Sequence, residues 1–267
     1  MNKQFDILIV DDEQVIIDAV VKICSAEGYK VDYSIDANDA LQKLKKNIYN
    51  LIICDIMMPD VDGFQLLNEI SKEKIISPVI MTTGYSTVEN AVKSLYKGAI
   101  DFIPKPFTAD ELLNSVKRGI KYLELQKIIN STNQSDDTSI IYVPCPAKYY
   151  RLGYSSWASL ENTGSILLGI TDLYIKTIES IEQIELHKVD DEIVQGNPCA
   201  QIESKDGLNH TVLSPVTGRI IERNELLLTD KSIVEKDPYF NGWFYRIIPA
   251  ESDYELKRLI PCSSDRL

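Results

Sequence analysis

The sequence is poor in the residues that metal centres and nucleic-acid interfaces use. Of its 267 residues only 2 are histidine and 5 are cysteine. Cys24, Cys54, Cys145, Cys199 and Cys262 are widely scattered and form no CxxC pair, and neither His187 nor His210 has a cysteine pair near it. That spacing argues against a Cys/His zinc site, and the thiols are expected to be reduced and mostly buried in cores. Basic residues are outnumbered, 28 Lys and Arg against 40 Asp and Glu, for a net charge of -12. A surface that neutralises duplex phosphates needs clustered Lys and Arg, so DNA binding is not expected. No apolar run approaches the roughly 20 residues of a membrane helix. The opening residues MNKQFDILIVDDEQ lack the basic segment, apolar stretch and cleavage site of a secretory leader. A soluble, cytoplasmic protein without membrane contact is the expectation.

What is present falls into two unlike halves. The first 120 residues or so alternate apolar strands with amphipathic helices, the pattern of βα units around a parallel sheet. DILIV (6–10), LIICD (51–55) and PVIMTT (78–83) are continuous apolar runs suited to strands covered on both faces, while KVDYS (30–34) and DFIP (101–104) read as outer strands. EQVIIDAVVKICSAEG and TVENAVKSLYKG carry apolar residues at helical spacing and end at glycine. A helix beginning TADE opens on a capping box, Thr108 with Glu111. It leads into NSTNQSDDTS (130–139), a polar stretch without periodicity that reads as a linker. Domain boundaries are therefore expected at 1–128, with a linker at 129–140 and a second, mostly β domain at 141–267.

The chemistry of the first half gathers at its strand ends. Asp11 and Asp12 follow the first strand, Asp55 ends the third, Thr83 ends the fourth and Lys105 follows the fifth. In an open parallel sheet the carboxyl ends of the strands converge on one crevice. Carboxylates brought together resist ionising without a compensating cation, and Mg²⁺ suits such oxygen ligands. A lysine and a hydroxyl opposite them suit phosphate, and a carboxylate can itself be the nucleophile, with Asp55 the candidate.

ILIVDDE, LIICDIMMPDVDGFQLL, PVIMTTGYS and DFIPKPF, in this order and spacing, resemble the receiver domain of two-component response regulators over about residues 4–125. The resemblance implies a doubly wound, flavodoxin-like five-stranded sheet of order 2-1-3-4-5. It implies Asp55 as phosphoacceptor, Mg²⁺ held by Asp12, Asp55 and the backbone carbonyl of Met57, and Asp11 acting on the metal through water. Lys105 would pair with the phosphoryl group, Thr83 would swing its hydroxyl toward it, and Phe102 would turn inward as Thr83 moves. Gly84 is expected to leave room for that movement. Met57 and Tyr85 are expected to border the path of an attacking water, and their bulk to prolong the phosphorylated state.

The second half shows no helix-turn-helix on a basic face and no GxxxxGK[ST] loop. GITDLYIKTIESIEQIEL, VDDEIVQGNPCAQIES, LSPVTGRIIERNE and EKDPYFNGWFYRIIP, again in order, resemble the H protein of the glycine cleavage system over about residues 141–260. A lipoyl-like barrel-sandwich of two small sheets is implied. The family writes its carrier lysine Glu-Ser-x-Lys-Ala, whereas Glu203-Ser204 here is followed by Lys205, Asp206 and Gly207. Counting from the glutamate lands on Asp206, and counting back from Ser214-Pro215 lands on Gly207. Asp-Gly favours a two-residue type I′ turn, which would put Asp206 and Gly207 at the hairpin tip and Lys205 on the strand shoulder. Lipoate is therefore not expected, and Lys205 is a candidate attachment site only under the alternative of a receiver-regulated lipoyl carrier. The expectation is a non-enzymatic response regulator taking a phosphoryl group from a sensor histidine kinase and signalling through an H-like domain to an unidentified protein partner. Homodimerisation through the receiver face near Phe102 is a further option.

Overall fold

The computed structural model describes residues 3–85, 87–132 and 142–266. The chain divides into two compact units.

In the first unit, strands β1 (Gln4–Val10), β2 (Val31–Ser34), β3 (Ile48–Asp55), β4 (Val79–Thr83) and β5 (Asp101–Pro104) form one parallel sheet. Its order is β2-β1-β3-β4-β5, as the resemblance implied. Helices α1 (Gln14–Ala26), α2 (Ala37–Lys46), α3 (Gly63–Lys72), α4 (Val88–Tyr96) and α5 (Ala109–Thr132) follow the strands in turn. Because side chains alternate along a strand, the apolar runs serve both faces of the sheet. Leu8, Val10, Ile52, Cys54 and Met81 pack with Ala40, Leu44, Leu66, Leu67 and Ile70 from α2 and α3. Ile7, Ile9, Leu51, Ile53 and Ile80 pack with Ile17, Val20, Cys24, Leu112 and Val116 from α1 and α5. Each such aliphatic side chain contributes roughly 1.5–3 kcal/mol by leaving water. This two-sided packing fixes the strands whose ends carry the polar residues.

The capping box at α5 is formed: the Glu111 amide donates to Thr108 Oγ1 at 3.2 Å, and the Thr108 amide donates to Glu111 Oε2 at 2.7 Å. The helix does not stop where the polar stretch begins. It runs through Thr132, so the first four residues of the expected linker are helical, and the expected boundary at 128 falls inside α5. A helix end needs no apolar periodicity once the preceding turns are packed. The rest of the expected linker, from 133 to 140, lies outside the described residues.

The second unit is antiparallel and mostly β. Strands β6 (Tyr150–Leu152), β7 (Ser156–Leu160), β8 (Ile166–Ile170), β9 (Ile181–Leu186) and β10 (Glu192–Ile193) come first, with a short helix α6 (Asp172–Ile175) after β8. Strands β11 (Pro198–Ser204), β12 (Asn209–Leu213), β13 (Gly218–Arg223), β14 (Tyr245–Pro249) and β15 (Ile260–Pro261) complete it. A seven-stranded sheet runs β10-β13-β14-β8-β7-β6-β15, and a three-stranded sheet runs β12-β11-β9. Thr171 caps α6, accepting from the Tyr174 amide at 3.2 Å. Trp157 is fully buried, its indole N–H donating to the Ile170 carbonyl at 2.9 Å, and its ring lies 4.9 Å from Tyr149 and 6.1 Å from Tyr239.

Candidate functional site

The polar residues at the strand ends converge as the topology requires. The Lys105 amide donates to the Thr83 carbonyl at 2.8 Å, which continues the β4–β5 pairing one residue further and places the lysine at the carboxyl edge. Its ammonium lies 2.7 Å from Asp11 Oδ2 and 2.9 Å from Asp55 Oδ1, with side-chain exposures of 7% for the lysine, 0% for Asp11 and 4% for Asp55. The other oxygen of each carboxylate takes a backbone donor. The Glu13 amide donates to Asp11 Oδ1 at 3.0 Å, and the Met57 amide donates to Asp55 Oδ2 at 2.7 Å. The two oxygens facing Lys105 have its ammonium, at ion-pair distance, as their partner.

Burial drives the electrostatics. It pushes the Asp11 carboxyl above the ordinary range, a shift that the neighbouring Lys105 and the Glu13 amide reduce without cancelling. Burial also disfavours the Lys105 ammonium, but Asp11 and Asp55 together outweigh it and hold that lysine above its ordinary pKa. One cation is thus shared by two buried anions. Glu13, exposed at the rim, brings a third carboxylate to 3.5 Å from the same ammonium. Sequence reasoning passed over Glu13, although it completes the acidic run DDE.

Thr83 is fully buried, its Oγ1 accepting from the Tyr85 amide at 3.2 Å. Phe102 lies opposite Met81 in the β4–β5 register and is half-buried against the core beneath α2 and α3. Asp12 is exposed, and among the described residues no three His, Cys, Asp or Glu side chains are already gathered around one point. Asp11, the first residue past β1, is the acid beside Asp55: its amide donates to the Ser34 carbonyl at 3.1 Å and its side chain is buried, whereas the chain turns away at Asp12. A Cβ on Gly84 would meet nothing within 4 Å, so the space beside Thr83 is open at this position.

Gly63 is the positional constraint that the sequence reading missed. A Cβ there would stand 2.1 Å from the Asp55 carbonyl oxygen, so only glycine lets α3 begin against the end of β3. The Gly63 amide donates to the Ile56 carbonyl at 3.0 Å, which closes the loop behind Asp55. Its signal was the Asp-Gly at the start of an apolar helix.

The hairpin β11–β12 differs from expectation. Glu203 pairs with Asn209, the Gly207 amide donates to the Ser204 carbonyl at 2.8 Å, and the Ser204 amide donates to the Leu208 carbonyl at 3.0 Å. Lys205 and Asp206 are therefore the central residues of the turn, and Gly207, at φ +78°, takes the bulge position. A type I′ turn needs positive φ at both central residues, and Asp206 does not have it. Lys205 is exposed at the tip rather than on a strand shoulder. The reason lies outside the hairpin: β11 also pairs with β9 up to Ser204 and Ile181, and the Lys205 amide donates to the Ser180 carbonyl at 2.9 Å. Ser204 Oγ braces the turn from beneath, donating to Asp206 Oδ1 at 2.5 Å and lying 2.8 Å from Nε2 of the buried His210.

Residues 7–117 match the response regulator receiver domain, and residues 148–263 match the glycine cleavage H-protein. Among curated relatives, the nitrogen assimilation regulatory protein NtrX of Azorhizobium caulinodans is 39% identical over 131 residues, which are 48% of this chain and 29% of that protein. The transcriptional regulatory protein DltR of Streptococcus agalactiae is 35% identical over 111 residues, 42% of this chain and 50% of that protein. The chain thus spans half or less of the length of these two relatives. Among solved structures, a receiver domain protein of Methanospirillum hungatei is 36% identical, with 47% of this chain and 99% of that one covered and a TM-score of 0.43. A glycine cleavage system H protein of Mycobacterium marinum is 22% identical, with 45% and 94% covered and a TM-score of 0.40. The chain carries a response regulator receiver domain followed by a glycine cleavage H-protein domain. No described helix is long and apolar enough to cross a membrane.

Proposed function

We propose that the chain is a response regulator that accepts a phosphoryl group on Asp55 from a sensor histidine kinase and signals through its H-like domain. The observation that carries this is the single Lys105 ammonium shared by Asp11 and Asp55 at the strand ends. A carboxylate oxygen of Asp55 attacks the phosphorus, the P–N bond of the donor phosphohistidine breaks, and its electron pair stays on the imidazole nitrogen. Lys105 leaves Asp55 for an oxygen of the arriving group while keeping Asp11, so its charge is used before and after transfer. Thr83 turns its hydroxyl to the same group, and Phe102 follows inward. The donor set suits a hard divalent cation, because two buried carboxylates share a single ammonium and carboxylate oxygens are the ligands such an ion prefers. Asp11, Asp12, Asp55 and the Met57 carbonyl would hold Mg²⁺, which supplies charge neutralisation for the transferring group when bound.

The H-like domain acts as a protein-interaction module, and its release or receiver dimerisation follows phosphorylation through the Phe102 face. Transfer of label from a purified cognate kinase to the wild-type chain and not to Asp55→Asn is the expected outcome. If beryllofluoride alters neither the oligomeric state nor the protease sensitivity of residues 129–140, the coupling is wrong.

A second reading is favoured by one observation, the exposed position of Lys205 at the hairpin tip, where a swinging arm would have to start. In it, lipoate on Lys205 makes the chain a receiver-regulated carrier. Intact mass after co-expression with a lipoate ligase separates the two, since a lipoyl group on Lys205 supports the carrier and its absence supports the interaction module.

A further inference from the structure

We propose that Cys145 and Cys262 form an oxidisable dithiol that closes the second unit into a covalent loop. None of the five cysteines is in a disulfide and all are buried, but these two differ from the rest: their sulfurs lie 2.8 Å apart across 117 residues of sequence. A formed disulfide is about 2.05 Å long, so less than an ångström of approach separates the pair from bonding. The backbone holds them in register. Strand β15 pairs with β6, setting Pro261 opposite Tyr150, and the Cys262 amide donates to the Tyr149 carbonyl at 2.9 Å.

The segment carrying Cys145 is tied down on both sides. Before it, the Val143 amide donates to Asp172 Oδ2 at 2.6 Å, and the Val143 carbonyl accepts from the Tyr239 hydroxyl at 3.0 Å. After it, Tyr149 stacks on Trp157 and takes the Cys262 amide. A strap so held brings the thiols together repeatedly, the condition under which a second thiol captures an oxidised first one.

The co-reactant is a peroxide. One sulfur, as thiolate, attacks a peroxide oxygen and the O–O bond breaks, giving a sulfenic acid and one water. The other thiolate attacks that sulfenyl sulfur and expels hydroxide, which takes a proton and leaves as the second water. Two thiols and one hydrogen peroxide thus give one disulfide and two waters. Both sulfurs are buried, so the first step needs local opening of the strap and is slower than at an exposed thiol.

The test uses the full chain under hydrogen peroxide, followed by denaturation, alkylation and peptide mapping. Alkylatable thiols are expected to fall from five to three, with one cross-linked peptide pair joining Cys145 to Cys262. Cys24, Cys54 and Cys199, which are also buried, serve as internal controls. Reduction should restore all five, and the oxidised second unit should melt on the order of 10 °C higher, because a loop of more than 100 residues is closed. The proposal is overturned if all five thiols are still alkylated after peroxide treatment and denaturation, if another cysteine pair cross-links first, or if Cys145 and Cys262 over-oxidise without bonding. None of these outcomes depends on a substituted protein folding.

Discussion

Replacing Lys105 with methionine keeps the length of the side chain and removes the one charge that Asp11 and Asp55 share. At an effective dielectric of about 20, unit charges at the 2.7 and 2.9 Å observed here attract by roughly 6 kcal/mol per pair, most of which offsets the desolvation of three buried groups. The loss on substitution is bounded by the relief available to the remaining carboxylates. One of them can take up a proton, which at pH 7 costs about 4 kcal/mol for a carboxyl of ordinary pKa, at about 1.36 kcal/mol per pH unit. Lys105→Met should therefore destabilise the receiver by about 3–5 kcal/mol at pH 7 in the presence of a chelator. The substituted protein binds a proton when folded that its unfolded chain does not, so its deficit shrinks as pH falls. Between pH 7 and pH 5 it should narrow by roughly 2–3 kcal/mol, and millimolar Mg²⁺ should narrow it at either pH. Urea titration followed by helix circular dichroism reads the receiver, which holds the long helices, while emission from Trp157 and Trp243 reads the second unit as a control. A loss below about 1 kcal/mol at pH 7, or one independent of pH, would refute the shared-cation reasoning.

Gly63→Ala should force α3 away from Asp55, since its Cβ would stand 2.1 Å from that carbonyl oxygen; a loss of about 2 kcal/mol or more is expected by urea titration, with slower phosphoryl uptake. The Asp206 carboxyl, although partly desolvated, is held below its ordinary range by Ser204 and the turn amides. Its contribution to the hairpin is thus present above about pH 4 and lost as pH falls through the lower folded value; amide exchange at Lys205–Leu208, corrected for intrinsic rates, should rise there and should not in Asp206→Asn. Met57 and Tyr85 are both well exposed beside the residues that their amides contact, so Met57→Gly with Tyr85→Ser should shorten the phosphorylated lifetime severalfold in a phosphate-release assay. Unchanged release would remove them as a barrier to water.

Much of this molecule is legible in its sequence because its signals are local. The continuous apolar runs named the three central receiver strands within a few residues, since a strand buried on both faces is apolar along its length, and KVDYS and DFIP named the two edge strands. DFIP agreed with β5 at both ends, and Thr108 with Glu111 marked the start of α5. What escaped depended on contacts between distant segments. The hairpin turn was set by β9 pairing with β11 as far as Ser204, which the Asp-Gly pair alone could not report. Asp11 rather than Asp12 lies beside Lys105 and Asp55 because the chain leaves β1 after Val10 and turns between the two aspartates, which a DD pair does not report. The approach of Cys145 to Cys262 needed β15 to lie beside β6, a pairing of two short strands more than 100 residues apart.

The central claim rests on Asp55 as the residue that takes phosphate. The most direct measurement incubates the full chain with Mg²⁺ and a small phosphoryl donor, then maps the modified residue by reductive trapping of the acyl phosphate and mass spectrometry. One phosphoryl group per chain, on Asp55 and absent from Asp55→Asn, is the expected result. A chain that stays unmodified under these conditions, or that carries the group on another residue, contradicts the account.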